Sequence, residues 1–119
     1  MSEQIIVTNP ATGEVIATIP ADTPESVNAK LKKGHEAFKK FSRSSAYDRS
    51  LLLSKWAELI LADKENLSEI MTKENGKPLA ESRGEVASTA SYLTWFAEEA
   101  KRLYGRTVPA TTTNKRIIV

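Results

Sequence analysis

No cysteine occurs among the 119 residues of this chain. Its absence removes disulfides, thiolate zinc sites and a cysteine nucleophile together. A single histidine, His35, cannot complete a metal site by itself, because zinc generally takes three or four protein ligands. It stands in a lysine-rich stretch, where an exposed surface residue is the simpler reading. Long apolar runs are missing as well. The longest, Leu59 to Ala62, falls far short of the roughly 20 residues that cross a bilayer. The opening Met-Ser-Glu-Gln has neither a basic segment nor an apolar one, so no leader is read there. No charge of one sign dominates: the net charge is +2, with basic and acidic residues interleaved from Asp22 to Arg106. That is a solvated surface rather than the concentrated basic face of a nucleic-acid binder. These absences point to a cytoplasmic type of soluble chain, with no membrane and no nucleic-acid partner.

What is present is an ordinary globular mixture, 40% apolar and 27% charged, enough for one small domain. Ile5 to Thr8 and Val15 to Ile19 are β-branched runs on either side of Asn9-Pro10-Ala11-Thr12-Gly13, which has the chemistry of a turn. The hairpin is expected to end at Pro20, which cannot donate to a ladder. Thr23 then has the character of a helix N-cap, with Pro24 at the first helical position and Glu25 favourable to the dipole. Val27, Leu31, Phe38 and Phe41 form one helical stripe. Ser44 or Ser45 is expected to cap a second helix that buries Leu52, Leu53, Trp56, Leu59 and Ile60. Asp63 is expected to cap a third, with Leu67, Ile70 and Met71 inward. The fourth helix is expected from about Pro78 to Leu103, where Leu79, Val86, Ala90, Leu93, Ala97, Ala100 and Tyr104 recur at helical spacing. Its Val86 to Ser91 run is small-sided and predicts close approach by another element. Gly105 is read as its stop. A strand-like tail follows from residue 106 to 119 and ends on apolar Ile117-Ile118-Val119. Such an edge needs a pairing partner, either the N-terminal strands or a second copy of the chain, and the sequence reads as cut there. The fold class is therefore mainly α, with short β-strands at both ends.

The stretch Thr72 to Val86, TKENGKPLAESRGEV, holds the most suggestive chemistry. A phosphate-binding P-loop needs an upstream glycine and a hydroxyl after the lysine. Here Met71 and Pro78 occupy those places, so that reading fails. Gly76 and Pro78 instead suit the end of one helix and the first turn of the next. Glu81 and Glu85 share a helical face, as an acid–base pair would, but Lys77 and Arg83 are close enough to make them ordinary solvated carboxylates. Ser82, Ser88 and Ser91 have no histidine within helical reach to activate a hydroxyl. From the residues alone, the chain is a helical unit with edge strands and no catalytic machinery.

Five pieces in order carry a resemblance: Asn9-Pro10-Ala11-Thr12-Gly13-Glu14, Glu74-Asn75-Gly76-Lys77-Pro78-Leu79, Glu81-x-Arg83-Gly84-Glu85, Trp95-Phe96-Ala97-Glu98-Glu99-Ala100 and Gly105-Arg106-Thr107-Val108-Pro109. Together they resemble the N-terminal segment of the aldehyde dehydrogenase superfamily, with versions most similar to succinate-semialdehyde dehydrogenases. The resemblance implies the N-terminal part of an α/β fold and an enzyme of several hundred residues, of which this is about the first quarter. It implies oxidation of an aldehyde with NAD or NADP: a cysteine thiolate attacks the carbonyl, hydride leaves to the nicotinamide, and a glutamate-activated water hydrolyses the thioester. Residues 1–119 would form a single N-terminal helical subdomain, a hairpin over 1–20, four helices over 23–104 and the tail. With no cysteine, they are expected to be inactive alone and to bind no cofactor. The resemblance places Ser88, Ser91, Tyr92 and Trp95 along a substrate-entrance channel. It places Val7, Thr8 and Glu74 around a monovalent cation, for which carbonyls and a carboxylate are suitable hard ligands. It also makes the rest of the enzyme chain and further copies of it, joined through terminal strands, the expected partners.

Two other classes compete with that reading. One is a stand-alone helical protein-interaction module that uses the small face from Ser88 to Ser91. The other is a nucleic-acid binder using Lys30, Lys32, Lys33, Lys39, Lys40 and Arg43.

Overall fold

The computed structural model describes residues 3–118. Two strands, β1 (Gln4–Thr8) and β2 (Val15–Pro20), form an antiparallel hairpin. Four helices follow: α1 (Pro24–Phe41), α2 (Ala46–Ala62), α3 (Lys64–Asn75) and α4 (Leu79–Glu99). A single 3-10 turn over Ala100–Arg102 ends α4, and β3 (Thr107–Pro109) and β4 (Arg116–Ile118) make a second antiparallel pair. The strand-like tail thus pairs with itself, not with the N-terminal strands.

Local chemistry explains most boundaries. Thr23 accepts from the Ser26 amide while Ser26 accepts from the Thr23 amide, a reciprocal capping box ahead of Pro24. Ser45, not Ser44, caps α2, and Asp48 completes its box. Asp63 occupies the junction between α2 and α3 but makes no side-chain cap bond; its carboxylate accepts instead from the Asn66 side chain at 3.2 Å. Gly76 closes α3 in the left-handed region at φ 81°, its amide bonded to the Thr72 carbonyl at 2.8 Å. Pro78 precedes α4 by one position and offers its carbonyl to the amides of Glu81 and Ser82. α4 stops short of Gly105, because its last turn tightens to 3-10 and Leu103 leaves the helical region with ψ 77°.

The tightly packed part lies where α4 crosses α2 and α3. Among the described residues its buried side chains are small: Ala57, Val86, Ala90 and Ala97, with Ser50, Ser68 and Ser82. Small residues let helix backbones approach closely, and the small-sided run of α4 does this through Ala90. Two polar contacts tie α3 to α4. The hydroxyls of Thr72 and Ser82 meet at 2.8 Å, and Arg83 donates to Glu65 Oε2 from Nε at 2.8 Å and Nη2 at 2.6 Å. The Arg83 hydrogen bond holds the Glu65 carboxyl below its ordinary range, and Glu65 raises the Arg83 guanidinium in turn.

The large apolar side chains behave differently. Leu52, Trp56 and Leu59 of α2 are exposed, as is the whole α1 stripe of Val27, Leu31, Phe38 and Phe41. Ile70 and Tyr104 are exposed too. The expectation that Leu52, Trp56, Leu59, Ile70 and Tyr104 face inward is therefore corrected, although the helices α1, α2 and α3 form as expected. Periodicity specifies which face is apolar, but a second surface must arrive to cover it. The radius of gyration, 21.7 Å, also exceeds the about 13.5 Å of a compact chain of this length.

Candidate functional site

Two places gather the residues singled out by sequence. The first is the outer face of α4. Ser88, Ser91, Tyr92, Trp95 and Phe96 recur at helical spacing, so one side of the helix presents them together. They line an open concavity of about 480 Å³. All four predicted channel residues fall in it, and Phe96 is an addition. Its position, eight residues from Ser88 and four from Tyr92, was the available signal. Tyr92 and Trp95 are 68% and 65% exposed, so their rings form an apolar wall that faces solvent in this chain. Ser91 turns its hydroxyl back onto the Ala87 carbonyl at 3.1 Å. The groove can hold and orient an apolar or amphipathic group, but it presents no acid–base pair and no activated nucleophile. Because Ala90 of the same run is buried, the small face is partly used inside the chain rather than left whole for a partner helix.

The second place is the junction between the hairpin and the end of α3. Val7 and Thr8 lie at the end of β1, where the ladder shifts register: Val7 is opposite Ala17, Thr8 is opposite Val15, and Ile16 is the extra residue. The following turn is held by the Asn9 side chain accepting from the Ala11 amide at 2.9 Å. It reaches Gly76 closely enough that a Cβ there would lie 2.8 Å from Pro10 Cγ. Thr8 is thus two residues from one side of this contact and Glu74 two residues from the other. Glu74 sits exposed in the last turn of α3, at the rim of a cleft of about 680 Å³ that Trp56, Ile60 and Met71 help to line. Carbonyls at the end of a strand and a carboxylate are chemically suitable donors for a hard monovalent cation. Among the described residues there is no group of three or more His, Cys, Asp or Glu side chains that could hold a metal ion.

The remaining candidates are occupied elsewhere. Lys77 Nζ meets Glu85 Oε1 at 2.5 Å, so the supposed carboxylate pair of Glu81 and Glu85 is broken up by an ion pair. Ser82 is buried and bonded to Thr72, with no base beside it. Of the α1 basic residues, Lys30 pairs with Asp22 at 2.6 Å and Lys39 with Glu36 at 2.8 Å. The Lys30 bond, with a further one from Ser26, draws the Asp22 carboxyl below its ordinary range. No helix among the described residues is long and apolar enough to cross a membrane.

Comparison with known proteins places this geometry. The sequence pattern of the Aldehyde dehydrogenase family matches residues 1–119. A 3-sulfolactaldehyde dehydrogenase from Pseudomonas putida is 44% identical over 117 residues, which cover 98% of this chain and 24% of the relative. A succinate-semialdehyde dehydrogenase from Escherichia coli strain K12, named with NADP(+), is 38% identical over 117 residues, again 98% of this chain and 24% of the relative. The crystal structure of an aldehyde dehydrogenase from Brucella melitensis biovar abortus 2308 superposes with a TM-score of 0.93 at 43% identity, covering 98% of this chain and 24% of that one. The chain therefore spans about a quarter of the length of these relatives, and its helices and hairpins match part of their fold. Matched by the family pattern along its whole length, and by relatives in both sequence and structure, the chain belongs to the aldehyde dehydrogenase family.

Proposed function

We propose that these residues serve as the N-terminal helical subdomain of an NAD(P)-dependent enzyme that oxidises succinic semialdehyde, or a similar aldehyde, to the carboxylic acid. The observation that carries the proposal is the α4 groove. The four residues assigned to a substrate channel by resemblance share one concavity, in a chain whose relatives include dehydrogenases of small acidic aldehydes. Tyr92, Trp95 and Phe96 would supply an apolar wall that guides the aldehyde and keeps water from it, with Ser88 offering a hydroxyl at the rim. The chemical step needs a thiolate, and this chain has no cysteine, so residues 1–119 are inactive alone. NAD(P) supplies hydride acceptance when bound.

Val7 and Thr8, through their carbonyls, and Glu74, through its carboxylate, would hold a monovalent cation at the hairpin junction. The remainder of an enzyme chain would cover the exposed stripes of α1 and α2, and further copies would associate through the terminal strands. The setting is cytoplasmic in this reading.

Two measurements test it. The isolated chain, given succinic semialdehyde with NAD⁺ or NADP⁺, should produce no reduced cofactor above a protein-free blank; turnover would overturn the assignment of chemistry elsewhere. A chimera carrying residues 1–119 in place of the matching segment of the E. coli relative should fold and oxidise succinic semialdehyde. In it, Trp95→Ala should raise KM more than it lowers kcat. A folded but inactive chimera, or one indifferent to Trp95, would count against the groove's role.

A further inference from the structure

The β1–β2 hairpin poses a physical problem. No extended packing joins either strand to a helix, and Ile5, Ile6, Val15 and Ile19 are all exposed. A two-stranded hairpin in water is marginally stable at best, so something must hold it in place. At its turn, Pro10 comes close against Gly76. A Cβ on Gly76 would lie 2.8 Å from Pro10 Cγ, with the Cβ and Cδ of the ring at 3.6 and 3.9 Å. Both sides are already stiff. Asn9 braces the Pro10 turn through the Ala11 amide, its own carbonyl accepts from Gly13 at 2.7 Å, and Gly76 is held by its bond to Thr72. A proline ring seated on a bare glycine therefore makes contact with little ordering of side chains.

We infer that Pro10 and Gly76 form a latch that docks the hairpin onto the helical layer. Gly76 then has two requirements: the left-handed backbone that stops α3, and a surface without a side chain to receive the ring. The first explains glycine or asparagine at this position; only the second demands glycine. The Asn9 to Glu14 and Glu74 to Leu79 segments, far apart in sequence, become two halves of one contact. This inference stands independently of the cation assignment.

Hydrogen exchange on the chain, read at the hairpin and at α4, tests the latch. Pro10→Ala removes Cγ and Cδ and leaves the α3 stop intact. Gly76→Asn adds a Cβ but keeps a residue that tolerates the left-handed region, and it alters nothing within the hairpin. Both should speed exchange of hairpin amides by about tenfold or more, the loss of about 1.4 kcal/mol of docking, while α4 amides keep their protection. Hairpin protection unchanged in both variants would overturn the inference. So would acceleration by Pro10→Ala alone, which would place the effect within the turn. Because Pro10 is exposed, its variant should fold even if Gly76→Asn does not. In that event Pro10→Ala decides alone: hairpin exchange accelerated together with that of the Gly76 amide, on the far side of the contact, supports the latch, and unchanged hairpin exchange or acceleration confined to the hairpin overturns it.

Discussion

Replacing Ala97 by leucine probes the packing of α4 most directly. Ala97 is 0% exposed and belongs to the apolar stripe of α4 that faces the neighbouring helices. Leucine adds three carbons where there is no accessible surface, so either the helix axes separate or side chains leave their rotamers. Overpacking of this kind costs about 1–3 kcal/mol. At about 4 °C per kcal/mol for a chain of this size, the melting temperature should fall by about 4–12 °C. Ser91→Leu is the matched control. It makes a similar addition on the open groove side of the same helix, where Ser91 is exposed and substitutions usually change stability by no more than about 0.5 kcal/mol. Thermal melts followed by far-UV circular dichroism, with urea titrations to confirm an unchanged slope, read both variants. If Ala97→Leu melts with the parent, or Ser91→Leu is the more damaging, α4 is not seated as described and the small-residue argument fails.

Two further perturbations probe the polar ties between α3 and α4. Ser82→Ala and Thr72→Val should each cost about 1 kcal/mol in denaturant unfolding, since each removes one hydroxyl of a shared bond. The double variant should cost less than their sum, and strict additivity would show that the hydroxyls do not meet. The Glu65–Arg83 pair makes a pH prediction. Glu65 has a folded-state pKa below its unfolded value of about 4.3. Its contribution is therefore fully present above that value and is lost as pH falls through the lower folded one. Acid melts of the parent should show this loss, and Arg83→Ala should reduce it. An identical acid profile in Arg83→Ala would refute the linkage.

Much of the chain was legible from residue order because its causes are local. Thr23 with Ser26 and Ser45 with Asp48 place two helix starts through bonds three residues apart. Gly76 places a helix end through its own backbone. The groove residues share a face because helical periodicity puts them there, so Ser88, Ser91, Tyr92 and Trp95 could be grouped without coordinates. Asp63 shows the limit even locally: it is a suitable cap residue, yet its carboxylate accepts from the Asn66 side chain rather than a backbone amide.

Tertiary structure decided what no local rule contains. Periodicity marked Leu52, Trp56, Leu59 and Ala97 alike as inward residues, but only Ala97 is enclosed. Burial depends on a second surface, and among the described residues none covers the α1 stripe or Leu52, Trp56 and Leu59 of α2. The tail could have paired with the N-terminal strands, but β3 pairs with β4, since adjacent segments meet at lower entropic cost. The meeting of Pro10 and Gly76 was likewise invisible, because it joins turns whose separation in space is set by all the helices between them. Sequence by itself determined the family, the helices and the faces they present. The fold alone determined which faces are covered, since covering a face requires contact between distant parts of the chain.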